Sequence, residues 1–407
     1  MKVVHLVKSN CPGAYRAAVR ISNALAENGV DSVVLSNEDF YGDIRQWPYF
    51  IISKLQNSFM TLSRADKSYI TGHDGFGADP LIDKRLTDAD IIHMHWVDKG
   101  FVGRNTLKAW NKTGKPFVFT MHDMRFFTGA CHYDNGCGGY VDGCKNCPIF
   151  KSGIMKKTAA GIVMKNTELY HKANAAAVGC STWITDCARQ SSAMRDMYDI
   201  AIPNPIDINV FHPKDKSEVK KKLGIDPQKK VIVFGAMNST SDKRKGYTHL
   251  VNALKYIPKD RVICVVFGGN AEREIEGFPV VNIGLLKSDE ALVEAYSCGD
   301  VFIAPSIQEN LANTVMESCA CGTPVVAFDI GGMKDMIISG HNGFLAEPFD
   351  DKMLAEGIVK CMHSGEMGLN ARAVAEKKFN NKVVAQQYIN VYNMLLNKRT
   401  AKKKTGD

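Results

Sequence analysis

Residues 305–335 read PSIQENLANTVMESCACGTPVVAFDIGGMKD, and this stretch decides the fold. An apolar run, 301–304, precedes it. The segment 312–320 is compatible with a helix, and it is followed by the turn Gly322-Thr323-Pro324 and a second apolar run, 325–328. Strand, loop, helix and strand in that order predict a parallel sheet. A loop entering a helix N-terminus at a strand's C-terminal end brings backbone N–H groups onto an anion. Glu309 and Glu317 stand eight positions apart, slightly more than two helical turns. A carboxylate at each end can therefore lie on one side of a bound molecule, and the stretch is read as holding a nucleotide-sugar.

Working outward, the same pattern recurs. Strand 231–234 runs into a polar, basic loop from Gly235 to Gly246. Helix 247–254, strand 262–267 with Gly268-Gly269-Asn270, strand 280–284 and helix 289–297 follow, which again means a parallel sheet. Lys243-Arg244-Lys245 alone would be a solvated loop. Its place before Gly246 and a helix favours a functional role. Helix 350–364 and a closing helix, 381–396, end the chain; Val384, Tyr388, Val391, Tyr392 and Leu395 fall on one face of the latter. No repeat period appears at solenoid lengths.

The first half opens with strand 3–7, a loop at 8–13, helix 14–27 and strand 32–35, a βαβ beginning. Gly13 stands alone in that loop, so no GxGxxG fingerprint is present. Strand 89–96 carries His93 and His95 near its end, and strand 116–120 runs into Met121-His122-Asp123. Open α/β sheets place their sites at such strand ends. His122 is the leading candidate because Asp123 and Arg125 follow at once. Segment 44–70 permits an amphipathic helix at 50–62, read as a surface-packed insertion in preference to an interfacial patch for a membrane-bound substrate. Helix 165–174, strand 176–180, helix 185–192 and strand 200–203 complete this half. Clustered prolines then put a domain boundary near Pro205.

Four cysteines, Cys131, Cys137, Cys144 and Cys147, are spaced C-x5-C-x6-C-x2-C among glycines. Cys144 and Cys147 form a thiolate pair suited to tetrahedral zinc, and the glycines allow the turns that converging ligands need. A structural zinc is the first reading; free thiols and a redox pair are its rivals.

Composition bounds the remaining choices. A chain of 407 residues predicts two domains. A hydrophobic content of 45% with 23% charged residues describes a globular protein. No run approaches the roughly 18–20 apolar residues of a membrane span, and MKVVHLVKSN is not a signal peptide, so the cytosol is the expected compartment. The net charge of +8 lies partly in the tail, at Lys398-Arg399 and Lys402-Lys403-Lys404, expected to be solvated and frayed. This excess suits anionic small molecules or an anionic membrane face and is too diffuse for nucleic acid.

These motifs together resemble the retaining glycosyltransferases of family 4, the "group 1" transferases with the GT-B fold. The resemblance is strongest over the second half: the E-x7-E pair Glu309/Glu317, the run from Glu317 to Val326, and the turn Gly331-Gly332. Asn204-Pro205-Ile206-Asp207 with Phe211 and Pro213 matches that family's interdomain passage. The first half is most similar to bacterial capsule and exopolysaccharide transferases, through His122-Asp123-Met124, Thr128-Gly129-Ala130-Cys131 and Cys144-Lys145-Asn146-Cys147-Pro148.

The resemblance implies an α/β protein with two Rossmann-like domains facing across a cleft. Residues 1–204 form an acceptor-side domain with the cysteine-rich loop 131–147, 205–380 bind the nucleotide-sugar, and 381–407 close back on the first domain and end in a basic tail. It implies a nucleoside-diphosphate sugar donor of uridine or guanosine type and a glycan or polyprenyl-linked glycan acceptor. Transfer would proceed with retention and without a catalytic metal, at the inner face of the cell membrane. Glu317 resembles the glutamate that accepts from two ribose hydroxyls, and Glu309 the one that contacts the sugar ring. N–H groups around Asn313, Thr314 and Val315 would meet the diphosphate. Lys245 matches the cation that neutralises the leaving phosphate, and His122 the histidine near the transferred sugar. Gly13, Gly235 and Arg244 complete the donor-binding set. The chain departs from the family at Ala236, where arginine is usual, and Arg244 or the two flanking lysines are read as supplying that charge. A nucleotide-sugar epimerase of the same architecture and a binding protein with a weak site are the competing functions.

Overall fold

The computed structural model describes residues 1–9, 12–65, 71–72, 75–235, 240–269 and 272–405. They divide into two compact units, Met1–Pro203 with Val384–Asp407, and Asn204–Val383.

In the first unit, strands β1 (Lys2–Val7), β2 (Asp31–Ser36), β3 (Ile91–Met94), β4 (Phe117–Met121), β5 (Ala175–Gly179) and β6 (Tyr198–Ala201) form one sheet in the order β2-β1-β3-β4-β5-β6. Every pairing is parallel. Strands β3 and β4 are buried along their whole length, as a sheet covered on both faces requires. Alternation along each strand sorts the two faces. Val3, Ile91, Val118 and Val178 meet helices Pro12–Glu27 and Asn381–Thr405, through Ile21, Leu25, Tyr388 and Tyr392. Val4, Leu6, Ile92 and Phe119 meet the opposite cluster with Trp110 and Ile162.

Several helices differ from the sequence expectation: Arg104–Thr113, Lys216–Lys222 and Gly365–Lys378 were not read, and others are displaced. The helix placed at 165–174 begins earlier and spans Gly153–His171, capped where Ser152 accepts from the Ile154 N–H. A glycine at its first position and another, Gly161, inside it hide it from propensity, yet Met155, Ala159, Ile162 and Asn166 form a buried stripe at helical spacing. Gly129 explains how close that helix comes: a Cβ there would lie 2.6 Å from the Ala159 carbonyl oxygen. The closing helix continues to Thr405, past the tail expected to fray.

In the second unit, β7 (Lys230–Gly235), β8 (Val262–Phe267), β9 (Glu274–Ile275), β10 (Phe278–Gly284), β11 (Val301–Ala304), β12 (Val325–Phe328) and β13 (Gly343–Ala346) form a sheet in the order β13-β12-β11-β7-β8-β10-β9. All pairs are parallel except the β9–β10 hairpin. The chain moves outward from β7 to β10 and returns to the other side of β7 at β11. The topological switch point therefore lies between β7 and β11. In the first unit it lies between β1 and β3. Open α/β sheets bind ligands beyond the strand ends at such points. Among the described residues no helix is long and apolar enough to cross a membrane.

Candidate functional site

The second unit's switch point joins the loop after β7 to the loop after β11. Gly246, with φ +71°, ends the short helix Lys243–Lys245; a Cβ there would lie 1.8 Å from the Pro305 carbonyl oxygen, so glycine is required by both conformation and space. The Ile307 N–H donates to the Arg244 carbonyl at 2.9 Å. These two contacts hold the loops together, and Lys245 Nζ donates to Glu309 Oε2 at 2.6 Å. Residues expected to act on the same ligand are thus neighbours.

Helix Asn313–Ala320 starts just beyond. Its N-cap is Ala312, which cannot cap with a side chain, so the first N–H groups receive no side-chain cap from that position. The Val315 N–H donates to the Ala312 carbonyl at 3.1 Å and is not available as expected; Asn313 and Thr314 remain as the helix-start donors. Asn313 is itself anchored, since its Oδ1 accepts from Asn204 Nδ2 at 3.1 Å. Glu317 faces inward, 1% exposed, and accepts from the Tyr296 hydroxyl at 2.9 Å.

Two expectations change. Arg244 donates through Nη2 and Nε to Asp242, at 2.8 and 3.3 Å, so its charge is matched by a carboxylate on its own loop. Lys245 is the cation that reaches Glu309. Gly235 has a packing reason: a Cβ there would strike the Phe267 ring at 2.3 Å. The departure at Ala236, and Asn270, lie outside the described residues.

Strand ends in the first unit carry a chain of imidazoles. His5 Nδ1 meets His95 Nε2 at 3.0 Å, His95 Nδ1 meets His122 Nε2 at 3.1 Å, and His122 Nδ1 meets Cys180 Sγ at 3.3 Å. Burial lowers His5 to about 3 and His122 to about 4, so these rings are neutral at pH 7. A neutral ring gives one proton and accepts one, so the tautomer of each ring sets that of the next. His122 is therefore oriented from both sides. His5, His93 and His95 also place one nitrogen each within 4.8 Å of the others, a spacing open to a metal. Both nitrogens of His93 are engaged, by Tyr392 at 2.7 Å and Thr120 at 2.6 Å, and both of His95 are engaged within the chain, so the trio reads as a hydrogen-bonded network.

Beside it lies a buried charge network that sequence reasoning missed. His132 Nδ1 donates to Asp123 at 2.6 Å, and its Nε2 lies 3.0 Å from Asp98. Arg125 Nε lies 3.2 Å from Asp98, and Trp96 Nε1 donates to Asp123 at 2.9 Å. The cavity that Asp98, His122, Asp123 and Arg125 help line holds about 40 Å³, room for a few waters and too small for a sugar. His132 went unread because it stands inside the cysteine loop, where the metal reading absorbed it.

Burial opposes charge on His132, but Asp123 and Asp98 outweigh it and raise its pKa from 6.5 to about 9. A pKa raised on folding gives stability that is complete below pH 6.5 and lost as pH rises through 9. The contribution is on the order of 3 kcal/mol. Thermal midpoints of the wild type should fall between pH 6.5 and 9 more steeply than those of His132→Gln. Equal slopes would remove the linkage.

Residues 215–378 match the model of the family "Glycosyl transferases group 1". They form a group 1 glycosyl transferase domain. D-inositol 3-phosphate glycosyltransferase of Xylanimonas cellulosilytica is 24% identical over 335 residues, 77% of this chain and 74% of that protein. Sulfoquinovosyl transferase SQD2 of Arabidopsis thaliana is 30% identical over 184 residues, 42% of this chain and 35% of that protein. Among solved structures, Anabaena HepE in complex with UDP has a TM-score of 0.63 at 16% identity, over 97% of this chain and 100% of its own. Sucrose-phosphate synthase of Thermosynechococcus elongatus has a TM-score of 0.67 at 17% identity, over 97% and 99%. The architecture is GT-B, two Rossmann-like parallel-sheet units.

Of the proposed site residues, Lys245, Glu309, Arg244, Asn313, Thr314, Val315, Glu317 and Gly235 lie within the group 1 glycosyl transferase domain. His122 and Gly13 lie in the first unit, Gly13 exposed at the first turn of helix Pro12–Glu27. The four cysteines share one loop, and the candidate metal cluster found among the described residues is the His5, His93 and His95 trio rather than these thiols. Burial pushes the Cys144 thiol up to about 11 and raises those of Cys131 and Cys147. Zinc at this loop is therefore a reading of the spacing alone.

Proposed function

We propose that the protein transfers a sugar from a nucleoside-diphosphate donor of uridine or guanosine type to a glycan or polyprenyl-linked glycan acceptor. Configuration is retained, no catalytic metal is used, and the product serves surface polysaccharide biosynthesis at the inner face of the cell membrane. The observation that carries this reading is the Lys245–Glu309 pair beside the uncapped start of helix Asn313–Ala320. An ammonium and a helix N-terminus converge where a diphosphate leaving group would gather charge. Glu317 would take the ribose hydroxyls, Glu309 the sugar, and His122 the acceptor-side face of the transferred group.

UDP and UDP-glucose accompany the solved HepE structures, and this supports a nucleotide-sugar donor here. A panel of uridine and guanosine diphosphate sugars tests the reading by thermal shift, since a donor at 100 times its Kd adds about 2.7 kcal/mol of stability. The stabilising donor is then incubated with glycan acceptors and the product's anomeric configuration is read by NMR. An inverted product rejects retention. Acceptor-independent conversion of the sugar would show an epimerase, and no conversion of any stabilising donor would leave a binding protein.

A further inference from the structure

Helix Trp47–Leu62, in the first unit, is packed with its chemistry reversed. It turns Ser53 and Met60 toward the protein, both buried. Toward solvent it turns Ile51, Leu55, Phe59 and Leu62, which are 58%, 66%, 62% and 85% exposed. Their spacing makes one continuous stripe, and exposed Trp47 and Ile44 extend it. The orientation is set by packing. Ser53 Oγ lies 1.3 Å from where a Gly100 Cβ would stand, and Gly100 has φ +85°, so serine meets bare backbone. The helix face that carries Ser53 packs on Gly100, and the apolar stripe faces away from it.

Charge adds a second constraint. No Asp or Glu occurs from Ile44 to Ala65. Beside the helix runs a groove of about 660 Å³ whose lining includes Phe50, Lys54, Leu62, Lys8 and Lys99. None of the three lysines forms an ion pair among the described residues, and Lys8 Nζ donates to the Lys99 carbonyl at 3.3 Å. Burial and the Lys99 charge hold Lys8 below its ordinary pKa, with Asp98 opposing. Three ammonium groups thus border an apolar stripe, and among the described residues none of them is ion-paired, Asp98 acting on Lys8 only at longer range. A second copy of this chain would bring the same cations against them. An anionic bilayer supplies both what the stripe lacks and what the lysines lack.

We propose that helix Trp47–Leu62 lies in the surface of an anionic bilayer, with the Lys8, Lys54 and Lys99 groove receiving the phosphate of a lipid headgroup. This docking does not depend on the transfer reaction, and its test leaves that reaction aside. The full chain is floated with vesicles of phosphatidylcholine alone and of phosphatidylcholine mixed with phosphatidylglycerol. It should float with the mixed vesicles only, and less so as salt is raised. Joint replacement Ile51→Asn, Leu55→Asn and Phe59→Asn should abolish flotation at an unchanged thermal midpoint. Joint replacement Lys54→Glu and Lys99→Glu should weaken it by roughly tenfold or more. Unaltered flotation of either variant overturns the proposal. So does displacement by inorganic phosphate with the apolar stripe intact, which marks a free-phosphate site. A dimer in sedimentation velocity that the asparagine variant dissociates overturns it as well.

Discussion

Lys245→Ala is expected to lower kcat by roughly 10²–10³-fold, the loss that follows removal of one donor to a developing oxyanion. Lys245 is the cation in contact with Glu309, and Arg244 beside it is held by Asp242. Arg244→Ala should therefore change kcat far less, within about tenfold. The comparison is made by initial rates at saturating donor and acceptor. An equal loss in both variants would mean that the loop acts by its summed charge. Wild-type turnover in Lys245→Ala would end the leaving-group role. Glu309 loses its ion-pair partner in this variant, so a Glu309→Gln background is the control for repulsion between that carboxylate and the diphosphate.

Glu317→Ala is expected to act twice. The Tyr296 hydroxyl, buried with its residue, loses its acceptor, a cost of about 1–3 kcal/mol in stability. The donor loses a carboxylate acceptor for its ribose, which should raise donor KM by about tenfold or more with kcat less affected. Tyr296→Phe separates the two effects. It removes the same hydrogen bond from the other side, so its stability should fall while donor KM stays close to wild type. A KM that follows stability in both variants would make Glu317 a purely structural acid.

The second unit was legible because its inner strands are short, continuous apolar runs bounded by turns. Strands 262–267, 301–304 and 325–328 and helix 289–297 coincide with the elements found. Strand β13 escaped because four residues, GFLA, carry little pattern and become a strand only by pairing with β12. The β9 strand is shorter still and exists through its hairpin with β10. The helix at 47–62 was legible as a helix but not in its facing. Periodicity says that one face is apolar, and only the close approach of Ser53 to Gly100 says that this face is turned outward.

By itself the sequence determined a two-part α/β chain, the strand ends that carry polar residues, and the candidates Lys245, Glu309, Glu317 and His122. Local pattern suffices there, because strand and helix periodicity and turn chemistry act over a few neighbouring residues. The tertiary structure decided what those residues touch. Parallel strands are joined by long crossovers, so residues far apart in the chain meet only when sheet order is known. That order puts Lys245 on Glu309, gives Arg244 to Asp242, and links His5, His95, His122 and Cys180 across four adjacent strands. It also sets His132 between Asp98 and Asp123.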